Sequence, residues 1–160
     1  MRSIMLVAVM LISFGVQAQS DPLIGTWKQN LAKSKYDPAY LAPKDGRTTK
    51  IEAVPGGIKL TMEALDAQGR VGHVEYTAKF DGKDYPYHAT IDGRPNPNQD
   101  AVSWRKIDDY TYESTAKAKG RVLTTTHYVI SRDGKTRTTT ITGKNADRVA
   151  VNNTLVYDKQ

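Results

Sequence analysis

Gly57-Ile58-Lys59-Leu60-Thr61-Met62-Glu63-Ala64-Leu65 decides how the rest of this chain is read. Ile58, Leu60, Met62 and Ala64 fall on alternate positions, with Lys59, Thr61 and Glu63 between them. A period of two with one apolar face marks a half-buried β-strand, because successive side chains of a strand point to opposite sides. Pro55-Gly56-Gly57 at one end and Asp66-Ala67-Gln68-Gly69 at the other are turn-forming, so the strand is bounded on both sides.

The same pattern continues in both directions. Upstream, Thr49, Ile51 and Ala53 alternate with Lys50 and Glu52. Downstream, Val74, Tyr76, Ala78 and Phe80 alternate with His73, Glu75, Thr77 and Lys79. Asp81-Gly82 follows, a hairpin signal because both residues tolerate positive φ. Further strands are predicted over Val102–Ile107, Tyr110–Lys117, Arg121–Ser131, Lys135–Gly143 and Arg148–Asp158. Asp108-Asp109, Lys119-Gly120, Asp133-Gly134 and Asn145-Ala146-Asp147 separate them. Threonine and tyrosine enrichment suits a pleated surface. Two stretches are irregular: Leu31–Gly46, where prolines confine any helix to a turn or two, and Lys83–Asp100, with Pro86, Pro95 and Pro97.

About nine or ten strands are expected, with no helix long enough for a parallel crossover, so the sheet is antiparallel. Closing it removes the exposed edges. The predicted fold class is all-β, an antiparallel up-and-down barrel of about 8–10 strands.

The first residues are of another kind. Arg2 supplies a positive charge, Ile4 to Val16 form an apolar run broken by Ser13 and Gly15, and Val16-Gln17-Ala18 offers small residues for cleavage. This reads as a secretory signal peptide over residues 1–18, followed by one domain over residues 19–160. A spanning anchor would need roughly 20 apolar residues, more than this run provides. The expected location is periplasmic or secreted. The chain has no cysteine, which excludes disulfides, thiol catalysis, cysteine-ligated metals and a lipid anchor on cysteine. Losing Arg2 lowers the formal charge from +6 to +5, and the basic residues are interspersed with acids along the chain. That distribution points to a solvated surface, with no nucleic-acid partner and no stable membrane insertion of the mature chain.

Chemistry-bearing patterns are sparse. His73, His88 and His127 are not paired at metal-ligand spacing, so no metal site is expected. His73 falls on the polar face of its strand. Ser103, Ser114 and Ser131 lack a Gly-x-Ser-x-Gly elbow, and Asp108-Asp109 sits on a turn, so no catalytic set stands out. No phosphate-binding glycine loop is present, and no cofactor is implied.

Leu23-Ile24-Gly25-Thr26-Trp27-Lys28-Gln29-Asn30 and the closing Asn153-Thr154-Leu155-Val156-Tyr157-Asp158-Lys159 resemble the lipocalin-like and fatty-acid-binding-protein (calycin) superfamily. The resemblance implies that Gly25 lets the first strand bend while the Trp27 indole plugs one end of a small barrel. It also implies a short lid over the mouth, with Tyr36, Tyr40 and Leu41 on its underside. In the fatty-acid-binding branch an arginine two residues before the inward tyrosine of the last strand grips a carboxylate. Tyr157 matches that tyrosine, but Leu155 stands in place of the arginine, so the clamp does not carry over. Arg137 could restore the charge from the threonine-rich strand if it faced inward, but a surface position is expected.

The more apolar face of each strand places Ile58 and Phe80 inside together with a candidate ligand-binding set: Leu60, Met62, Tyr76, Trp104, Tyr112, Tyr128, Leu155 and Tyr157. Apolar walls with a few hydroxyls suit a small hydrophobic or amphipathic molecule. The first functional reading is therefore a monomeric barrel that binds such a molecule without transforming it. A barrel enzyme of isomerase, cyclase or hydrolase type is the alternative, and a ligandless structural or interaction module with a packed interior is the third.

Overall fold

The structure, a computed structural model, describes residues 21–160. The signal peptide read over residues 1–18 lies outside the described residues. Twelve strands make one sheet: β1 (Gly25–Lys35), β2 (Thr48–Val54), β3 (Gly57–Leu65), β4 (Val71–Lys79), β5 (Tyr85–Pro86), β6 (His88–Ile91), β7 (Arg94–Pro95), β8 (Ala101–Lys106), β9 (Thr111–Ala118), β10 (Arg121–Ile130), β11 (Thr136–Lys144) and β12 (Ala150–Lys159). The spatial order is β5-β8-β9-β10-β11-β12-β1-β2-β3-β4-β6-β7, every pairing antiparallel. Apart from the short β5–β7 pieces this is an up-and-down meander, with the last strand laid beside the first. The all-β antiparallel barrel expected from the alternation is the fold observed.

The twelve strands exceed the nine or ten expected, and the excess arises within Lys83–Asp100. Tyr85–Ile91 is almost a continuous strand that pairs in two directions. Tyr85 and Pro86 face Val102 and Ala101 of β8, whereas His88 to Ile91 face Glu75 to Gly72 of β4. The two margins of the curled sheet meet through this segment. At one end they also meet directly, by an Asp81–Arg105 bridge and by the Gly82 amide donating to the Trp104 carbonyl at 2.9 Å. A proline-containing stretch with little alternation gave no strand signal because its pairing partners are supplied by the tertiary fold.

The expected alternation is realised in burial. Ile58 and Leu60 of β3, Val74, Tyr76 and Ala78 of β4, Val102 and Trp104 of β8, and Leu155 and Tyr157 of β12 are all buried in one core. Between β1 and β2 a three-residue 3-10 turn, Ala39–Leu41, sits over one end of the barrel. Tyr36 is buried and Leu41 packs against the core, but Tyr40 is 64% exposed. Tyr40 is therefore not on the underside of this cover, because a turn so short can direct only part of its side chains inward.

The opposite end is closed by the motif at the start of β1. Trp27 has no exposed surface, and its Nε1 donates to the Leu23 carbonyl at 2.9 Å. Gly25 adopts φ +140°, a backbone conformation that side-chain-bearing residues rarely adopt, so the position favours glycine on conformational grounds. Asp21 accepts from the Leu23 amide at 3.0 Å, from Lys106 at 3.0 Å and from the Tyr112 hydroxyl.

Candidate functional site

The barrel interior is not filled. An inner chamber of about 170 Å³ lies at its centre, and an outer chamber of about 440 Å³ opens beneath the 3-10 turn and the β3–β4 and β11–β12 turns. Arg47, Met62, Val74, Tyr87, Gln99 and Thr124 border both and form the neck between them. Leu60, Tyr76, Val102, Tyr128, Ile141 and Tyr157 give the inner chamber its apolar and aromatic walls. Hydroxyls of Thr49, Ser114, Thr126 and Thr139 are set among them.

Of the eight residues expected to bind a ligand, Leu60, Met62, Tyr76, Tyr128 and Tyr157 line this inner chamber. Trp104, Tyr112 and Leu155 do not. Trp104 has no exposed surface and stacks under the Tyr128 ring at 4.6 Å, donating its Nε1 proton to the Tyr76 hydroxyl at 3.2 Å. Tyr112 is committed to Asp21 and to the Phe80 ring, 5.6 Å away, at the closed end. Leu155 is fully buried in the packed core. The alternation placed all three inside, but the inside of a barrel includes solidly packed core as well as its cavity.

Arg137 is the principal correction. It was expected at the surface, yet it is 2% exposed and lines the inner chamber. Its guanidinium lies 4.1 Å from the Tyr157 ring centre, 5.2 Å from that of Trp27 and 5.9 Å from that of Tyr128. The strand that carries it, Thr136-Arg137-Thr138-Thr139-Thr140-Ile141-Thr142-Gly143-Lys144, has no apolar face, so hydropathy gave no parity. The signal was Ile141, the only large apolar residue of β11. Ile141 shares a parity with Thr139 and Arg137, and once it turns inward the arginine follows. Pairing agrees, since Arg137 stands opposite Tyr157 and Thr139 opposite Leu155.

Arg47 was also missed. It precedes β2 at the parity of the buried Thr49 and Ile51, and its guanidinium lies 5.9 Å from the Tyr36 ring centre. Gln29 fixes this corner: its Nε2 donates to the Tyr36 hydroxyl at 2.8 Å and its Oε1 accepts from the Arg47 amide at 3.3 Å. Tyr87, the third omission, comes from the two-way strand.

The electrostatics of the chamber are one-sided. Neither histidine, aspartate nor glutamate lines it, and no carboxylate is buried among the described residues. Burial pushes the Tyr87 phenol up to about 12 and raises those of Tyr76 and Tyr128, so the hydroxyls are neutral hydrogen-bonding groups at neutral pH. The Ser114 and Tyr128 hydroxyls already share a hydrogen bond of 3.0 Å. His127 is exposed, 3.4 Å from Glu113, and His73, 3.7 Å from Glu63, is among the residues bordering the outer chamber. Among the described residues no three histidine, cysteine or acidic side chains stand close enough to hold a metal ion.

No protein-family model matches this sequence, and no curated protein matches it.

Proposed function

We propose that this protein binds a small amphipathic molecule inside the barrel and does not transform it. The observation that carries the reading is the inner chamber, walled by aromatic and aliphatic side chains with a few hydroxyls and joined by a neck to an outer chamber that opens at the surface. A concave, mostly apolar cavity with a small number of placed polar groups suits recognition of a small ligand. Acid–base catalysis would need a titratable group near neutrality within reach of the substrate, and the inner chamber's walls offer arginines and neutral phenols instead. Binding is therefore favoured over the barrel-enzyme reading, and the unfilled interior favours it over a ligandless module.

Kinship with the lipocalin-like and fatty-acid-binding superfamily belongs to the same proposal. It is supported by Gly25-Thr26-Trp27 closing one end and by β12 lying next to β1. Export to the periplasm or beyond, after cleavage behind Ala18, rests on the composition of residues 1–18.

The test is native mass spectrometry of the protein purified from its own host, with solvent extraction of what accompanies it. The expected result is a chain beginning at Gln19 that carries one small molecule in stoichiometric amount. An empty protein that also fails to take up a fluorescent lipid probe would overturn the binding reading.

A further inference from the structure

Among the described residues, Arg137 is a buried cation without a counter-charge. Its Nε and Nη1 groups have no hydrogen-bond partner, and the Oγ1 of Thr139, two residues along the same inward face of β11, has none either. All the other buried polar residues of the described chain are neutral: Gln29, Thr49, Ser114, Thr126, Thr139 and Asn153. An arginine stays protonated in proteins, and an isolated buried charge is costly until it is paired. Burial lowers the basicity of this guanidinium relative to an ordinary arginine. The Tyr157, Trp27 and Tyr128 rings lie near the group and supply cation–π attraction. Such contacts do not use the in-plane N–H bonds, and although the Tyr157 hydroxyl also lies within hydrogen-bonding reach of the guanidinium, the Nε and Nη1 groups still lack acceptors.

We propose that the ligand of the inner chamber carries one carboxylate or comparable oxyanion, held by Arg137 and Thr139, on a body about the size of a single aromatic ring. This rests on the binding reading given above and narrows it. Size follows from the volume of about 170 Å³, close to that of an engineered apolar cavity of about 150 Å³ that accommodates benzene. The aromatic walls, from Tyr76, Tyr87, Tyr128 and Tyr157, suit the face of a ring. Arg47, at the neck, adds a second cation on the route inward and raises the local concentration of anions. Leu155 occupies the position where the resembled family has its carboxylate-gripping arginine, so this charge reaches the interior from a different strand.

The probes are phenylacetate and 2-phenylethanol, which share a ring and differ in charge, titrated into the mature protein and followed by amide chemical shifts. Phenylacetate is expected to bind at least about tenfold more tightly, as hydrogen bonds to a charged group are worth about 1.5–3 kcal/mol. Arg137→Met should abolish this preference while leaving 2-phenylethanol binding in place, and Arg137→Lys should retain part of it. The ligand-free Met variant should melt at or above the wild-type temperature, because it removes an unpaired buried charge. Equal affinities for acid and alcohol in the wild type would overturn the anion assignment and leave the binding reading standing. Absence of binding by both probes and by a fluorescent lipid would overturn both. Retained acid preference in a Met variant of lowered melting temperature would make Arg137 a structural cation and also overturn the assignment. Should the Met variant not fold, the wild-type comparison and Arg137→Lys decide the matter.

Discussion

Trp27 shows how one side chain can organise an end of the barrel. It is fully buried, it donates to the Leu23 carbonyl at 2.9 Å, and two cations lie near its ring, Lys159 at 5.1 Å and Arg137 at 5.2 Å. Truncation would open a cavity and remove both cation–π contacts, so Trp27→Ala should lose about 3–5 kcal/mol of stability in urea unfolding. A loss under about 1 kcal/mol would mean that the indole is not the plug, since large-to-small core changes of this kind rarely cost so little. Arg137 teaches a complementary lesson. A charged residue on a strand is usually solvated, because burial of an unpaired charge is costly. Its burial became legible only through Ile141, four residues away on the same face.

At the level of elements, the nine longer strands have extended ladders, interrupted only by irregularities between Asn30 and Lys35 of β1 and between Val122 and Thr124 of β10, whereas the Tyr85–Ile91 segment changes partner midway. Tyr85 and Pro86 pair only with β8, and Pro86 has no amide proton to give. His88 to Ile91 pair with β4, while Tyr87 bridges the change of partner by donating to the Asp100 carbonyl at 3.0 Å. A seam with few backbone bonds on each side is expected to open locally before the rest of the sheet. In native-state hydrogen exchange the amides of Ala89, Thr90 and Ile91 should exchange well before those of β9 to β12. Equal protection would show that the seam is as cooperative as the long strands. Because Tyr87 also borders both chambers, such opening would widen the neck.

For the molecule as a whole, both ends of the described chain are fastened at the closed end. Lys159 donates to the Pro22 carbonyl at 3.1 Å, and Asp21 joins the N-terminal segment to Lys106 of β8 and Tyr112 of β9. Burial alone would raise the Asp21 carboxyl, but bonds from Tyr112, Lys106 and the Leu23 amide outweigh it and hold its pKa below the ordinary carboxylate range. A carboxyl whose pKa is lower in the folded than in the unfolded state stabilises above its unfolded pKa of about 4 and loses that contribution as the pH falls through the folded value. Urea stability measured from pH 6 down to pH 2 should therefore fall less steeply in Asp21→Asn than in the wild type. Parallel curves would show that this carboxylate does not couple the chain ends to stability.

The sequence by itself determined the antiparallel barrel, the positions of most turns and the inward face of β3, β4, β8 and β12. These depend on local alternation and turn chemistry, which survive in one dimension. It also picked five of the residues that line the inner chamber. Only the tertiary structure decided that Trp104, Tyr112 and Leu155 belong to packed core beside the cavity, that Tyr85–Ile91 closes the sheet, and that Arg47 and Arg137 face the cavity. The physical reason is that depth along a barrel axis and the parity of a polar strand are set by cross-strand register. Register is a property of pairs of strands and is not written in either strand alone.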